Sequence, residues 1–197
     1  MPRIIHRKKY QVIYADPPWP ESDPVRDKRN RRRLANSYYK TMKAEEILGL
    51  ADRIKLLTAD CAALFLWTTP RHLPLAIETM EAWGFQFVVV GFTWMKKNVN
   101  NDQPFFGMGY YTRSNAEFCL MGRKGSLKPV DHSISSAVYE PRRKHSQKPD
   151  TVRERIERLF GDVPRLELFA RERSKGWDVW GDQVSSDATV ARIMAGA

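Results

Sequence analysis

Residues 62–67 (AALFLW) are six consecutive apolar positions with no polar alternation. A strand with one wet face alternates; a strand that does not is buried on both faces, which requires layers above and below its sheet. The flanking segments can supply those layers. Residues 43–57 carry Ile47, Leu50, Ile54 and Leu57 at helical spacing, with Glu45 and Glu46 early, where the helix dipole favours acids. Residues 70–83 read as a helix closed by Gly84. In residues 149–160, Val152, Ile156, Leu159 and Phe160 share one helical face, while Arg153, Glu154, Glu157 and Arg158 turn outward. Further strands are expected over residues 10–15, 85–94, 116–121 and 165–169. Strand and helix signals therefore alternate, the pattern of an α/β layer fold. A chain of 197 residues supplies one such domain. It is expected over residues 1–184, and the small, polar residues 185–197 read as a frayed tail.

Lys and Arg number 33 against 23 Asp and Glu, a net charge of +10. That excess suits a polyanion, nucleic acid first, although a merely soluble basic protein carries it equally well. Cys61 and Cys119 lie in apolar runs and read as core. Their spacing suggests neither zinc nor a disulfide framework, so no metal is expected. No stretch is apolar enough to span a bilayer and no leader is recognisable, so a cytoplasmic protein without membrane contact is expected.

The chemistry is concentrated where the first strand stops. Asp16-Pro17-Pro18-Trp19 follows it at the strand's C-terminal edge, where open α/β sheets place their ligands. Two prolines make a stiff turn that can hold a carboxylate and a carbonyl in fixed positions. Such a pair could accept both protons of an aromatic amine and free its lone pair, with Trp19 stacking on the ring. The other reading is a proline turn with a buried Trp anchor. Lys148 precedes a helix start, and a lysine beside free backbone N–H groups makes an anion site, or else is a solvated helix flank. His145 either orders that loop or meets the same anion, and Glu167 is either a ribose acceptor or a partner of nearby arginines. Residues 20–40, 96–115 and 128–147 are long, irregular and polar, as functional loops are. The first contains residues 26–33 (RDKRNRRR), where Arg29, Arg31, Arg32 and Arg33 either face solvent or grip phosphate. Tyr39 at its end could contact a flipped base. Trp94, Phe105, Phe106, Tyr110 and Tyr111 border the second.

These motifs, in order, resemble the DPPW-type adenine-N6 methyltransferases, the family that includes the catalytic subunit of the eukaryotic messenger-RNA adenosine methyltransferase. The likeness runs over residues 12–183 and is greatest to the short bacterial and phage members that act on DNA. Its landmarks are Ile13-Tyr14-Ala15-Asp16-Pro17-Pro18-Trp19, Tyr39-Lys40-Thr41-Met42, Leu64-Phe65-Leu66-Trp67-Thr68-Thr69 and Arg113-Ser114-Asn115-Ala116-Glu117. His145-Ser146-Gln147-Lys148-Pro149, Leu166-Glu167-Leu168-Phe169-Ala170-Arg171 and Gly176-Trp177-Asp178-Val179-Trp180-Gly181 complete it. The resemblance implies a single Rossmann-like domain dependent on S-adenosylmethionine, with permuted motif order: the catalytic strand first, the cofactor-binding strand late. It implies that Asp16, Pro17, Pro18 and Trp19 are catalytic. Lys148 would meet the cofactor's tail, Arg171, Arg173 and Ser174 its ribose, and Asp182 and Gln183 its adenine. At Asp182 this chain departs from the family's usual Asn, leaving a group that only accepts hydrogen bonds when ionised.

The activity expected is methyl transfer from S-adenosylmethionine to adenine N6 in DNA, with nucleic acid as partner. The alternatives are the same reaction on RNA, a non-catalytic nucleic-acid-binding subunit, and a methyltransferase for a small amine.

Overall fold

The computed structural model describes residues 8–20, 40–107, 111–143 and 147–196. Seven strands form one sheet: β1 (Tyr10–Ala15), β2 (Thr58–Thr68), β3 (Gln86–Lys97), β4 (Ala116–Lys124), β5 (Ala137–Pro141), β6 (Arg165–Leu168) and β7 (Asp178–Trp180). Their spatial order is β5-β3-β4-β2-β1-β6-β7. β1 pairs in parallel with β2 and β6, β6 with β7, and β3 with β5, while β4 runs antiparallel to β2 and β3. Six strands thus end at one edge of the sheet, and β4 begins there. The permuted order follows from this pairing, because β6, late in the chain, lies directly beside β1, with Ile13 opposite Leu166.

The helices are α1 (Ala44–Leu48), α2 (Ala51–Leu57), α3 (Leu73–Ala82), α4 (Asp150–Phe160) and α5 (Ala188–Ala195), with a 3-10 turn over Pro70–His72. Alternate residues of β1 and β2 feed two cores. Ile13, Ala15, Leu64 and Leu66 pack with Ile47, Ile54, Met80 and Trp83 on one face. Val12, Tyr14, Ala63, Phe65 and Trp67 pack with Val152, Ile156 and Phe160 on the other. The unalternating apolar run is the consequence of two covered faces, each fully buried side chain contributing about 1.5–3 kcal/mol.

Five sequence expectations are corrected. The helix expected over residues 43–57 is two helices, broken at Gly49 and Leu50, where the Leu50 N–H turns to the Ile47 carbonyl three residues back at 3.3 Å. Ile47, Ile54 and Leu57 are buried across the break, so the spacing was right and the continuity was not. Residues 128–147 are not wholly irregular, since β5 lies among them. It pairs only with β3 at the sheet's edge, where Pro141 is tolerated. Within residues 185–197, expected as a frayed tail, α5 buries Val190, Ile193 and Met194, and Arg53 donates to the Met194 carbonyl at 2.7 Å. Cys61 is exposed, whereas Cys119 is buried. On α4, Arg153 turns inward to Glu167, and Glu157 accepts the Trp177 indole N–H at 2.6 Å. Among the described residues no helix is long and apolar enough to cross a membrane.

Candidate active site

β1 stops at Ala15 because Pro17 and Pro18 cannot donate to a ladder. The turn that follows is held at each residue. The Trp19 N–H bonds the Pro17 carbonyl at 2.8 Å, and the Met42 N–H bonds the Pro18 carbonyl at 2.9 Å. The Trp19 side chain is only 9 % exposed, and its indole N–H donates to the Trp67 carbonyl at 2.9 Å. His72 lies along the Trp19 ring, with centroids 6.0 Å apart and planes 13° from parallel. The His72 Nε2 donates to the Pro20 carbonyl at 3.1 Å while its Nδ1 accepts the Thr69 hydroxyl at 2.9 Å, which fixes the tautomer. Burial, with Arg71 adding to it, lowers the pKa of His72, so this ring is neutral at neutral pH. Of the two readings of Trp19, the geometry carries the buried anchor rather than an open stacking surface.

Behind the turn runs a chain of alternating charges. Lys148 Nζ lies 2.6 Å from Asp16 Oδ2 and 3.4 Å from Glu117 Oε2, over the face of Trp67 at 5.5 Å. Lys96 closes on the other oxygen of Glu117. Burial raises the pKa of Asp16, with Lys148 pulling against it. Burial also works upward on Glu117, but Lys148 and Lys96 together bring it below the usual carboxylate range. Lys148 is itself pushed up: burial opposes its charge, but Asp16 and Glu117 outweigh that. Lys148 is therefore firmly cationic and Asp16 is the group in the chain nearest to gaining a proton.

Two cavities meet at Asp16. The larger, about 330 Å³, is lined by Asp16, Pro18, residues 40–42, Glu46, Phe169, Arg171 and residues 180–183. Its wall contains a strained residue: Phe169 has φ 60, in the left-handed region, and its ring meets Trp180 edge-on at 5.3 Å. Such backbone strain clusters at ligand sites. Gly181 is needed there because a Cβ would lie 2.0 Å from the Ala170 carbonyl oxygen. The smaller cavity, about 120 Å³, is lined by residues 16–19, Thr68, Thr69, His72, Glu117, Lys148 and Arg171.

The site residues expected from the sequence divide accordingly. Asp16, Pro18, Arg171, Asp182 and Gln183 border the larger cavity; Asp16, Pro17, Pro18, Trp19, Lys148 and Arg171 border the smaller. Lys148, expected at a cofactor's tail, is turned to the two carboxylates. Arg173 pairs with Asp187 at 3.3 Å, and the Ser174 carbonyl accepts the Trp177 N–H at 3.2 Å; neither residue borders either cavity. Glu167 pairs with Arg153 at 3.1 Å, the arginine partnership rather than the ribose one. Arg29, Arg31, Arg32, Arg33, Tyr39 and His145 lie outside the described residues. Sequence reasoning gave no role to Glu117, Lys96, His72, Phe169 or Trp180. Glu117, Phe169 and Trp180 stood in recognised motifs, but only the pairing of β3 with β4 brings Lys96 to Glu117. No cluster of three or more His, Cys, Asp or Glu suited to a metal occurs among the described residues.

Comparison with known proteins agrees with this architecture. The MT-A70 family model matches residues 10–183. A type II methyltransferase, M.MunI of a Mycoplasma species, is 34% identical over 193 residues, which cover 90% of this chain and 79% of that protein. The human METTL3, named as the catalytic subunit of an N(6)-adenosine-methyltransferase, is 29% identical over 180 residues, covering 89% of this chain and 28% of its own length. A putative N(6)-adenosine-methyltransferase of Medicago truncatula is 30% identical, with 90% of this chain and 27% of its own covered. The chain thus spans about a quarter of the plant and human relatives and most of the bacterial one. With the family model covering nearly all of it, from the first strand to the turn after the seventh, the chain belongs to the MT-A70 family of methyltransferases.

Proposed function

We propose that this chain methylates the N6 amine of adenine in DNA, using S-adenosylmethionine. One observation carries the reading: the Asp16 carboxylate borders both cavities, so a group held in one can meet a group held in the other across it. The larger cavity fits the cofactor in size and chemistry. Its volume of about 330 Å³ is that of a small-molecule site. Arg171 suits a carboxylate, Asp182 and Gln183 suit hydroxyl and amine donors, and Phe169 with Trp180 offers an apolar wall for a flat ring. When bound, S-adenosylmethionine supplies a methyl group activated by its sulfonium centre.

The chain's own residues then deal with the amine. The N6 lone pair of adenine is delocalised into the ring and is weakly nucleophilic. Asp16 accepts one N6 proton in a hydrogen bond and later takes the proton the nitrogen must lose. The Pro17 carbonyl, with one lone pair given to the Trp19 N–H, offers its second to the other N6 proton. Both contacts favour a pyramidal nitrogen with its lone pair freed. Lys148 keeps Asp16 ionised against its burial. The turn is fixed before substrate arrives, so the contribution comes from positioning.

The nucleic-acid assignment rests on the charge of +10, which suits DNA and RNA alike, and the choice of DNA on the likeness to short bacterial and phage members. The test incubates the protein with methyl-labelled S-adenosylmethionine and matched DNA and RNA oligonucleotides, then identifies nucleosides by mass spectrometry. Labelled N6-methyldeoxyadenosine is expected. Label only in the RNA would overturn the substrate, and label on no adenine would overturn the reaction.

A further inference from the structure

The described residues of the loop between β3 and β4, 98–107 and 111–115, expose aromatic rings on a backbone tied by hydrogen bonds. Phe106 is 59% exposed and Tyr111 94%. Around them the Phe105 N–H bonds the Lys96 carbonyl at 2.8 Å, the Gly107 N–H bonds the Ser114 carbonyl at 2.8 Å, and Asn98 N–H bonds the Gln103 carbonyl at 2.9 Å. The end of β5 is tied to the same loop. The Arg142 N–H bonds the Lys97 carbonyl at 3.2 Å, and its guanidinium lies 3.5 Å from the centre of the Phe105 ring.

The charges around these rings are unequal. Lys96, Lys97 and Arg143 each face a carboxylate, of Glu117, Asp102 and Asp150 respectively. Arg113 and Arg142 are exposed, and neither is ion-paired with a carboxylate among the described residues. Exposed rings alone would suit many partners. Exposed rings in one loop with Arg142 stacked on Phe105 and Arg113 in the same segment, neither guanidinium facing a carboxylate among the described residues, on a chain of charge +10, favour a polyanion with flat apolar faces. The position agrees. β3 and β5 end at the sheet edge that carries Asp16, and Arg113 stands four residues before Glu117, which lines the smaller cavity.

In a duplex the base faces are covered by their neighbours, whereas in an unpaired strand they are open to an aromatic ring. We propose that Phe106, Tyr111 and Arg113, between β3 and β4, and Arg142, at the end of β5, bind unpaired nucleotides flanking the target adenine, the two rings stacking on bases and the two arginines meeting phosphates. This rests on the nucleic-acid reading above and extends it: the preferred substrate is a single strand or a locally opened duplex.

The test uses the full chain with the paired substitution Phe106→Ser and Tyr111→Ser. A dye-labelled oligonucleotide with one adenine, single-stranded or as a blunt duplex, is titrated by anisotropy. A second set carries 2-aminopurine one or two positions from that adenine. The double variant is expected to bind the single strand at least ~10-fold more weakly, the scale of lost base stacking. It should also lose the 2-aminopurine quenching, with cofactor affinity and melting temperature unchanged. Arg113→Gln should flatten the salt dependence on the single strand by about 0.7 log units per log unit of salt. Unchanged single-strand affinity, or an equal loss on the blunt duplex, would overturn the proposal. So would a shift in sedimentation from dimer to monomer without loss of binding, which would make the face a contact between copies. Quenching that persists in a protein unable to methylate adenine would sink the reaction while leaving this surface standing.

Discussion

The two cavities that share Asp16 have different walls. The larger has the aromatic rings of Phe169 and Trp180 at the ends of β6 and β7, with Lys40, Glu46, Arg171, Asp182 and Gln183 among its polar lining. The smaller is lined by Asp16, Lys148 and Glu117, whose charges alternate. An aromatic wall with hydrogen-bonding groups around it suits recognition of a molecule that is bound and released. An ionic chain with its members fixed by one another suits control of where a proton resides. On the function proposed above, the difference means that holding and activating are separated in this fold, and that Asp16 is where they join.

Substitutions can break that separation. Lys148→Met should have the largest effect of those directed at one cavity. Burial already raises the pKa of Asp16, and Lys148 is its main opposing influence. In the proposed mechanism the ionised carboxylate is the active form, so activity is expected to fall as pH drops through that pKa. Without Lys148 this acid limb moves to higher pH, and the rate at neutral pH falls by about tenfold or more. A pH–rate profile checks it, with Lys148→Arg restoring much of the wild-type curve and calorimetry showing cofactor affinity little changed. Arg171→Ala probes the larger cavity and should weaken cofactor binding by about 10-fold, the scale of one charge-assisted hydrogen bond. If the rate at saturating cofactor fell by more than the affinity did, Arg171 would belong to both functions. His72→Ala should act most weakly, lowering kcat by about 2- to 10-fold through loss of its stack on Trp19 and its bond to Pro20. KM for cofactor should not move.

Much of this arrangement was legible in the sequence for physical reasons. Residues 62–67 announced a doubly covered strand because burial on both faces removes the need for any polar position. Asp16-Pro17-Pro18 announced a turn because proline cannot continue a ladder. What escaped was set by tertiary pairing. β5 is five residues long and pairs only with β3, and α5 is held by apolar residues that α2 and β7 cover. Lys148 was read as an anion site because it precedes a helix. Its partners, Asp16 and Glu117, are 132 and 31 positions away, a proximity that no local spacing encodes. Whether Trp19 is anchor or stacking surface depends on His72, which lies against its ring from 53 positions away.

The central claim is that Asp16 activates the amine and does not merely shape the cavity. Asp16→Asn keeps the size of the side chain and removes the charged acceptor. The measurement is a single-turnover rate of methyl transfer to an adenine-containing oligonucleotide, with saturating S-adenosylmethionine and the melting temperature taken alongside. The account predicts a loss of at least ~100-fold in the rate with the fold retained and cofactor still bound, the scale of removing one preorganised polar group. A variant that turns over within a few-fold of wild type would contradict it.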